Sequence, residues 1–401
     1  MNDYLQFWRD SIRRAFTGSA RYYAWMTLLT IIVLVGLNAY AKQAVGGLVT
    51  TGMTDQVSWG AYIANFTFLV GIAAAAVMLV IPAYLYKHEG LHKVVIFGEL
   101  LAVAALVMCL LFVVADLGRP DRFWHMIPFI GEFNFPDSML AWDVIALNGY
   151  LALNAHITGY LIYAKWRGKE PDKRWYMPFV FISIVWAISI HTVTAFLYLG
   201  LAGRPFWNSA ILAPRFIASA FAAGPALIIL TLQMINRTWD VDVPASALKT
   251  LKRIFTVAMV INLFLFGSEV FTEFYTGSAH VASANYLFFG IEGANKLVPW
   301  IWMAVVMNVA ATIILLSKRS SKLLWVDIAC VLAIVGIWVE KGMGLIIPGF
   351  VPSPLGEVVE YAPTLNETLV SMGIWAFGAL IYTLMVRVAV PVVLGTLRKE
   401  T

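Results

Sequence analysis

The chain has 401 residues, 61% of them hydrophobic and 13% charged, with a mean hydropathy of +0.79. Soluble domains are about 45–50% apolar and about 25% charged, and a water-soluble globule of this composition would expose large apolar patches. Disorder, a collagen rod and nucleic-acid binding are excluded by scarce polarity and the lack of a basic tract, so 28 basic against 23 acidic residues read as loop orientation in an all-α polytopic membrane protein.

At the start of the chain, Tyr4, Phe7, Trp8, Ile12 and Phe16 recur at helical spacing with arginines opposite. That pattern predicts a cytoplasmic interfacial helix over residues 1–20. A membrane helix takes about 20 mainly apolar residues. Charge-poor runs predict ten of them: 22–41, 59–86, 94–117, 138–164, 175–201, 209–236, 251–276, 297–317, 323–343 and 368–394. Ser11-Ile12-Arg13-Arg14-Ala15-Phe16, the apolar run after it and Ala39-Tyr40-Ala41 imitate a cleaved twin-arginine signal. The run is longer than the apolar region of a signal, and further spans follow it, so it reads as the first span. Residues 21–401 are then one ten-span membrane domain. Within it Asn65-Phe66 ahead of Ala73-Ala74 recurs as Arg215-Phe216 ahead of Ala223-Gly224. The recurrence fits two related four-helix bundles, about 59–201 and 209–343, with flanking helices. It also fits chance, because Ala-rich interfaces, such as Gly71 and the Ala73–Ala76 run, are common where membrane helices pack.

Lys and Arg alternate in abundance from loop to loop. With the N-terminus inside, Arg9, Arg13, Arg14 and Arg21, then the loops near 87–93, 165–174, 237–253 and 318–322, then Arg387, Arg398 and Lys399 take 21 of the 28. The positive-inside rule places both termini in the cytoplasm of a multi-pass protein of the inner membrane. Cys109 and Cys330 sit inside apolar runs with no CxxC or Cys/His spacing, which excludes a disulfide scaffold, a zinc site and a cysteine-held iron–sulfur cluster.

Ionisable residues inside spans are costly and therefore functional candidates. At about 1.5 Å per residue, Asp143 lies about 8 Å below the outer end of its span and His191 about 13 Å below that of the next. Asp116 ends the third span, Glu269 and Glu273 close the seventh, and Glu340 and Lys341 near the end of the ninth are placed to pair. His156 and His191 are the best-buried histidine pair, but their depths differ by about 13 Å, which does not suit one haem iron. His156 reads as a satisfied core histidine. Arg204 and Arg215 read as pins to headgroups or outer carboxylates, Asp327 as a partner for Lys322, and Glu99 as the start of an inner proton path or a group reaching the interface. No nucleotide-binding loop or nucleophile elbow is present.

The densest polar stretch is the outer loop 116–143, with Arg119, Arg122, Trp124 and His125 above the point where Asp143 enters the membrane. A carboxylate and an imidazole near headgroup level suit quinol oxidation, one group meeting each ring oxygen and both accepting protons. The same stretch also reads as an interfacial loop stapled by Arg–Asp pairs. Burial would raise the Asp143 pKa and the arginines would lower it.

Asp116-Leu117-Gly118-Arg119-Pro120 followed by Phe123-Trp124, and Ser138-Met139-Leu140-Ala141-Trp142 opening the next span, resemble the NrfD/polysulfide-reductase membrane subunit family. So do Arg204-Pro205-Phe206-Trp207-Asn208-Ser209 and Ala218-Ser219-Ala220-Phe221 before Gly224. The resemblance covers most of residues 59–345. Ten spans, Trp59-Gly60, Glu340-Lys341-Gly342 and the loop 348–360 are similar to the branch that includes the DsrP subunits of sulfite-reduction-linked complexes.

The resemblance implies a quinone-interacting subunit with no haem and no iron–sulfur cluster of its own. It implies menaquinone or ubiquinone bound as substrate near the outer, periplasmic face, with electrons passing to a ferredoxin-like iron–sulfur subunit docked there. Other membrane and cytochrome subunits would complete the complex. By the same resemblance His125 and Asp143 are the quinone ligands and Arg122 and Trp124 line the site. Trp142 and His191 are further candidates for binding, and Asp116, Glu269 and Glu99 for a proton relay, with pairing of Glu269 to a neighbouring Ser or Asn as the structural alternative. A secondary transporter, which would carry polar residues at mid-depth beside a broken helix, and a structural anchor without quinone chemistry are the competing readings.

Overall fold

The computed structural model describes residues 3–127, 129–239, 241–277 and 280–399. Met1 and Asn2 of the predicted interfacial segment, Pro128 of the polar loop, and Glu400 and Thr401 at the end of the membrane domain lie outside the described residues. In chain order the helices are α1 (Asp3–Ala15), α2 (Ala20–Gly46), α3 (Ala61–Ala74), α4 (Val77–Val80), α5 (Glu89–Asp116), α6 (Met139–Trp166) and α7 (Met177–Leu199). They continue with α8 (Leu212–Trp239), α9 (Ala245–Thr276), α10 (Val281–Phe288), α11 (Val298–Leu316), α12 (Leu323–Lys341), α13 (Met343–Ile346) and α14 (Leu365–Val393). Among the described residues there is no β-strand.

Local chemistry sets the boundaries. Ser19 caps α2, its hydroxyl accepting from the Tyr22 amide at 3.3 Å, and Gly47 ends it at φ +79°. Thr364 and Glu367 form a reciprocal capping box at the start of α14, satisfying two of the amide donors that every helix start leaves open. α3 stops at Ala74, resumes as α4, and closes in a π-turn over Ile81–Leu85 that contains Pro82. A ring without an N–H accounts for the loosened end of this crossing.

Among the described residues nine segments are long and apolar enough to cross a membrane: α2, Ala61–Leu85, α5, Lys173–Leu199, α8, α9, α11, Leu323–Gly349 and α14. The tenth predicted span is α6, whose Asp143, Asn148, Asn154 and His156 dilute its apolar character. It runs antiparallel to α7 along its whole length: Asp143 meets Thr194, the Ala146 carbonyl accepts from Trp186 Nε1, and His156 meets the Trp175 carbonyl. α6 therefore crosses wherever α7 does.

α3, α5, α6 and α7 pack as one group and α8, α9, α11 and α12 as another, while α2 pairs with α14 against α5. α3 and α8 join the groups. A Cβ on Gly71 would touch Ala220, and one on Gly224 would strike Ala75, so the two recurring strings lie side by side and run parallel.

The basic loops gather on one face. His88 Nε2 meets Thr250 at 3.2 Å, Lys252 Nζ donates to the Ser320 carbonyl at 2.9 Å, and the Lys399 amide donates to the Trp166 carbonyl at 2.8 Å. α1 lies against this face, with Phe7 packed on Tyr163 and Trp166. A hydrogen bond from Lys399 holds the Asp3 carboxyl below its ordinary pKa. On the opposite face Gly52 N donates to Glu367 at 2.7 Å and Trp207 Nε1 to the Leu345 carbonyl at 2.8 Å.

Candidate functional site

Asp143 lies just over a turn inside α6, whose start Ser138 caps. It is 1% exposed, and its Oδ1 accepts from Thr194 Oγ1 at 2.8 Å. His191 is one turn earlier on α7, also 1% exposed, and neither ring nitrogen has a hydrogen-bond partner. Tyr198 follows one turn later, its hydroxyl sharing a hydrogen bond with Thr67 of α3. His191, Thr194 and Tyr198 fall at the three- and four-residue spacings that share a helix face, so α7 turns a polar stripe toward α3 and α6. Tyr198 is within electrostatic reach of both Asp143 and Asp116. An imidazole with two unused nitrogens, one turn along α7 from the threonine that binds Asp143, can bind and exchange protons with a buried polar ring.

The loop candidates lie elsewhere. Arg122, Trp124 and His125 occupy an exposed 3-10 stretch, Pro120–Met126, in which the His125 ring stacks on Trp124 at 3.8 Å. Arg119 grips Asp121 with two hydrogen bonds, 2.9 and 3.0 Å, and holds its carboxyl below the ordinary range. The Arg–Asp staple is thus present, between neighbours on the surface. Trp142 is partly exposed and donates to the Pro136 carbonyl at 2.8 Å. The structure brings Asp143 and His191 into one bundle core and leaves His125, Arg122 and Trp124 outside it.

The relay candidates are dispersed. Asp116 has a buried Oδ1 without a partner, next to the Ala115 carbonyl that accepts from Gln43 at 2.7 Å. Glu99 is buried with both oxygens unpartnered and, 17 residues earlier on α5, lies about 26 Å away. Glu269 belongs to the second bundle and is ion-paired with Arg215, so its partner is a guanidinium and not the Ser or Asn expected. Arg215 also reaches Glu340 at 3.2 Å, Lys341 meets Glu340 at 3.3 Å as its position suggested, and Asn308 donates to Glu340 at 2.9 Å. Arg215, Glu269, Glu273 and Glu340 line a cavity of about 20 Å³, room for one water.

Three further expectations are corrected. Asp327 accepts from Gln233 and makes no pair with Lys322, because the α8 amide lies closer than the loop lysine. Arg204 donates to the Phe350 carbonyl at 3.4 Å and covers that ring at 4.6 Å, meeting backbone and an aromatic face in place of an outer carboxylate. His156 is satisfied by the Trp175 carbonyl at 3.0 Å but stands on the protein surface and not in the core. Among the described residues no three His, Cys, Asp or Glu side chains are grouped to hold a metal ion. Sequence reading missed Thr67, Thr194 and Tyr198; the spacing His191-Thr194-Tyr198 was the available signal.

Three relatives align along nearly the whole chain. A Halobacterium salinarum protein named as a dimethyl sulfoxide reductase membrane subunit is 24% identical, over 89% of this chain and 88% of its own length. An Hdr-like menaquinol oxidoreductase integral membrane subunit of Archaeoglobus fulgidus is 23% identical, over 92% and 93%. A selenate reductase subunit of Mesobacillus selenatarsenatis is also 23% identical, over 92% and 94%. Beyond these pairwise likenesses, the sequence profile described as Polysulphide reductase, NrfD matches residues 49–352, from the loop after α2 to the loop before α14. The chain is a multi-pass membrane protein and belongs to the NrfD family.

Proposed function

We propose that this chain is the quinone-interacting membrane subunit of a respiratory oxidoreductase complex. It exchanges electrons between menaquinol or ubiquinol, near the face opposite the basic loops, and a ferredoxin-like iron–sulfur subunit docked there. That face is periplasmic, the termini are cytoplasmic, and the membrane is the inner one, with other membrane and cytochrome subunits alongside. The observation that carries the reading is the buried pair of α6 and α7: Asp143 bonded to Thr194, and His191 one turn away with both nitrogens unused. Membership in the family and the menaquinol oxidoreductase relative support it.

Oxidation of a quinol releases two electrons and two protons. The electrons leave to the partner's cluster, while Asp143 and His191 bind the ring oxygens and take up the protons. Tyr198, within reach of Asp143 and Asp116, connects the pair to an exit at the end of α5. His125, with Arg122 and Trp124 on the loop above, serves as a further ligand once that loop folds onto a bound ring. Glu269 and Glu99 lie outside this short path. The DsrP-like branch remains our assignment within the family, on the ten crossings and the Glu340-Lys341-Gly342 string.

The transporter reading draws on one feature, the interruption of α3 after Ala74 beside Gly224-Pro225 of α8. Alanines line that break, and they offer nothing to hold a solute. Asp143→Asn keeps the bond from Thr194 but cannot accept a proton, and His191→Gln keeps polarity without basicity. In the assembled complex each is expected to lower quinol-coupled turnover by about 100-fold or more, with subunit assembly and reduction by an artificial donor unchanged. Wild-type turnover in both would remove the site.

A further inference from the structure

On the basic face a groove of about 700 Å³ opens between α1 and the helices α5, α6 and α14. Phe7, Trp8 and Ile12 of α1 form one wall and Val103, Tyr163 and Met385 the others. This volume lies in the range of small-molecule sites. Of the polar groups in its lining, His156 meets the Trp175 carbonyl, Thr158 donates to the Asn154 carbonyl and Tyr160 accepts from the Asp172 amide, whereas Ser11, 6% exposed, has a hydroxyl without a hydrogen-bond partner.

Next to the lining residues Ile12, Ala15 and Val388 in the chain stand Arg13, Arg14 and Arg387. Arg14 is within electrostatic reach of Arg387, and its Nε is buried without a partner. Arg387 spends its donors on the Thr17 carbonyl, at 3.0 and 2.6 Å. Arg13, Arg14, Arg21 and Arg387 take part in no ion pair among the described residues. The acids of α1 are engaged elsewhere, Asp3 with Arg167 and Lys399 and Asp10 with Arg9. Cations left uncompensated beside a lipid-facing apolar groove call for an anion that carries its own hydrocarbon.

We propose that this groove is a binding site for an anionic phospholipid of the leaflet on the basic face. An acyl chain lies between α1 and α6, the phosphate sits against Arg13 and Arg14, and Ser11 donates to a glycerol ester oxygen. The lipid fastens the interfacial helix to the bundle. The site is separate from the Asp143 pair and does not rest on the quinone reading.

The test uses the full chain in detergent, incubated with equal dioleoylphosphatidylglycerol and dioleoylphosphatidylcholine, with retained lipid counted by native mass spectrometry. Wild type is expected to keep phosphatidylglycerol in preference. Arg13→Ala/Arg14→Ala is expected to weaken its retention about 30-fold, at about a factor of five for each surface charge. Gly159→Phe fills the groove from α6, where an added Cβ meets nothing within 4 Å, and is expected to abolish retention with the melting profile unchanged. Equal retention of the two lipids by wild type, or undiminished phosphatidylglycerol in both variants, overturns the proposal. So does recovery of a quinone that Gly159→Phe displaces.

Discussion

Arg215 meets the carboxylates its place in the sequence suggests, but deep inside the bundle. It enters the membrane only a few residues from a loop, yet it is 5% exposed and shared by Glu269 and Glu340, with Lys341 as a second buried cation. Removing one member of such a cluster strands a charge, a loss of about 3–5 kcal/mol. Arg215→Met is therefore expected to lower stability by that amount in detergent unfolding, and Arg215→Met/Glu269→Met to recover part of it. Asp143 and His191 were legible because an ionisable residue in an apolar run stands out by itself. Thr194, Tyr198 and Thr67 were not, since hydroxyls at helical spacing are ordinary in membrane helices and only the pairing of α6 with α7 gives them a role. The partner of Glu269 was invisible for the same reason: it depends on which helices meet.

Hydropathy placed nine of the long helices in order, and charge-poor runs added α6, whose polar residues form the candidate site, while the short α10 went unforeseen. What hydropathy does not encode is which helices touch. α2 and α14, at opposite ends of the chain, cross where a Cβ on Gly36 would come within 2.6 Å of the Gly373 Cα, and the reverse within 2.7 Å. Two glycines allow backbones to approach this closely. Gly36→Val is expected to cost about 1–3 kcal/mol as overpacking and to lower the melting temperature, while Val45→Leu, on the exposed end of α2, leaves it unchanged. The repeat in α3 and α8 was readable as sequence, but its meaning was not. The similar strings are the surfaces through which the two groups of helices join.

Across the whole molecule hydrogen bonds tie the lysine- and arginine-rich loops together on one basic face, and the start of α6, one turn from Asp143, lies at the opposite face. Cys109 and Cys330 are buried, so a single introduced cysteine reports cleanly. In intact cells a membrane-impermeant maleimide is expected to label Asp137→Cys and to leave Lys169→Cys untouched until the membrane is opened. The opposite pattern would invert the protein and carry the quinone to the wrong side. The exposed loop 117–138 marks how far the sequence could go: its composition identified it, but its position relative to Asp143 depends on what it closes upon.

The most direct test of the account is photolabelling of the assembled complex with an azidoquinone, followed by peptide mapping. Label is expected between residues 116 and 143 and on α7 near His191, and Asp143→Asn should suppress it. Label confined to the α1–α6 groove on the basic face, or to the Arg215 cluster of the second bundle, would contradict it.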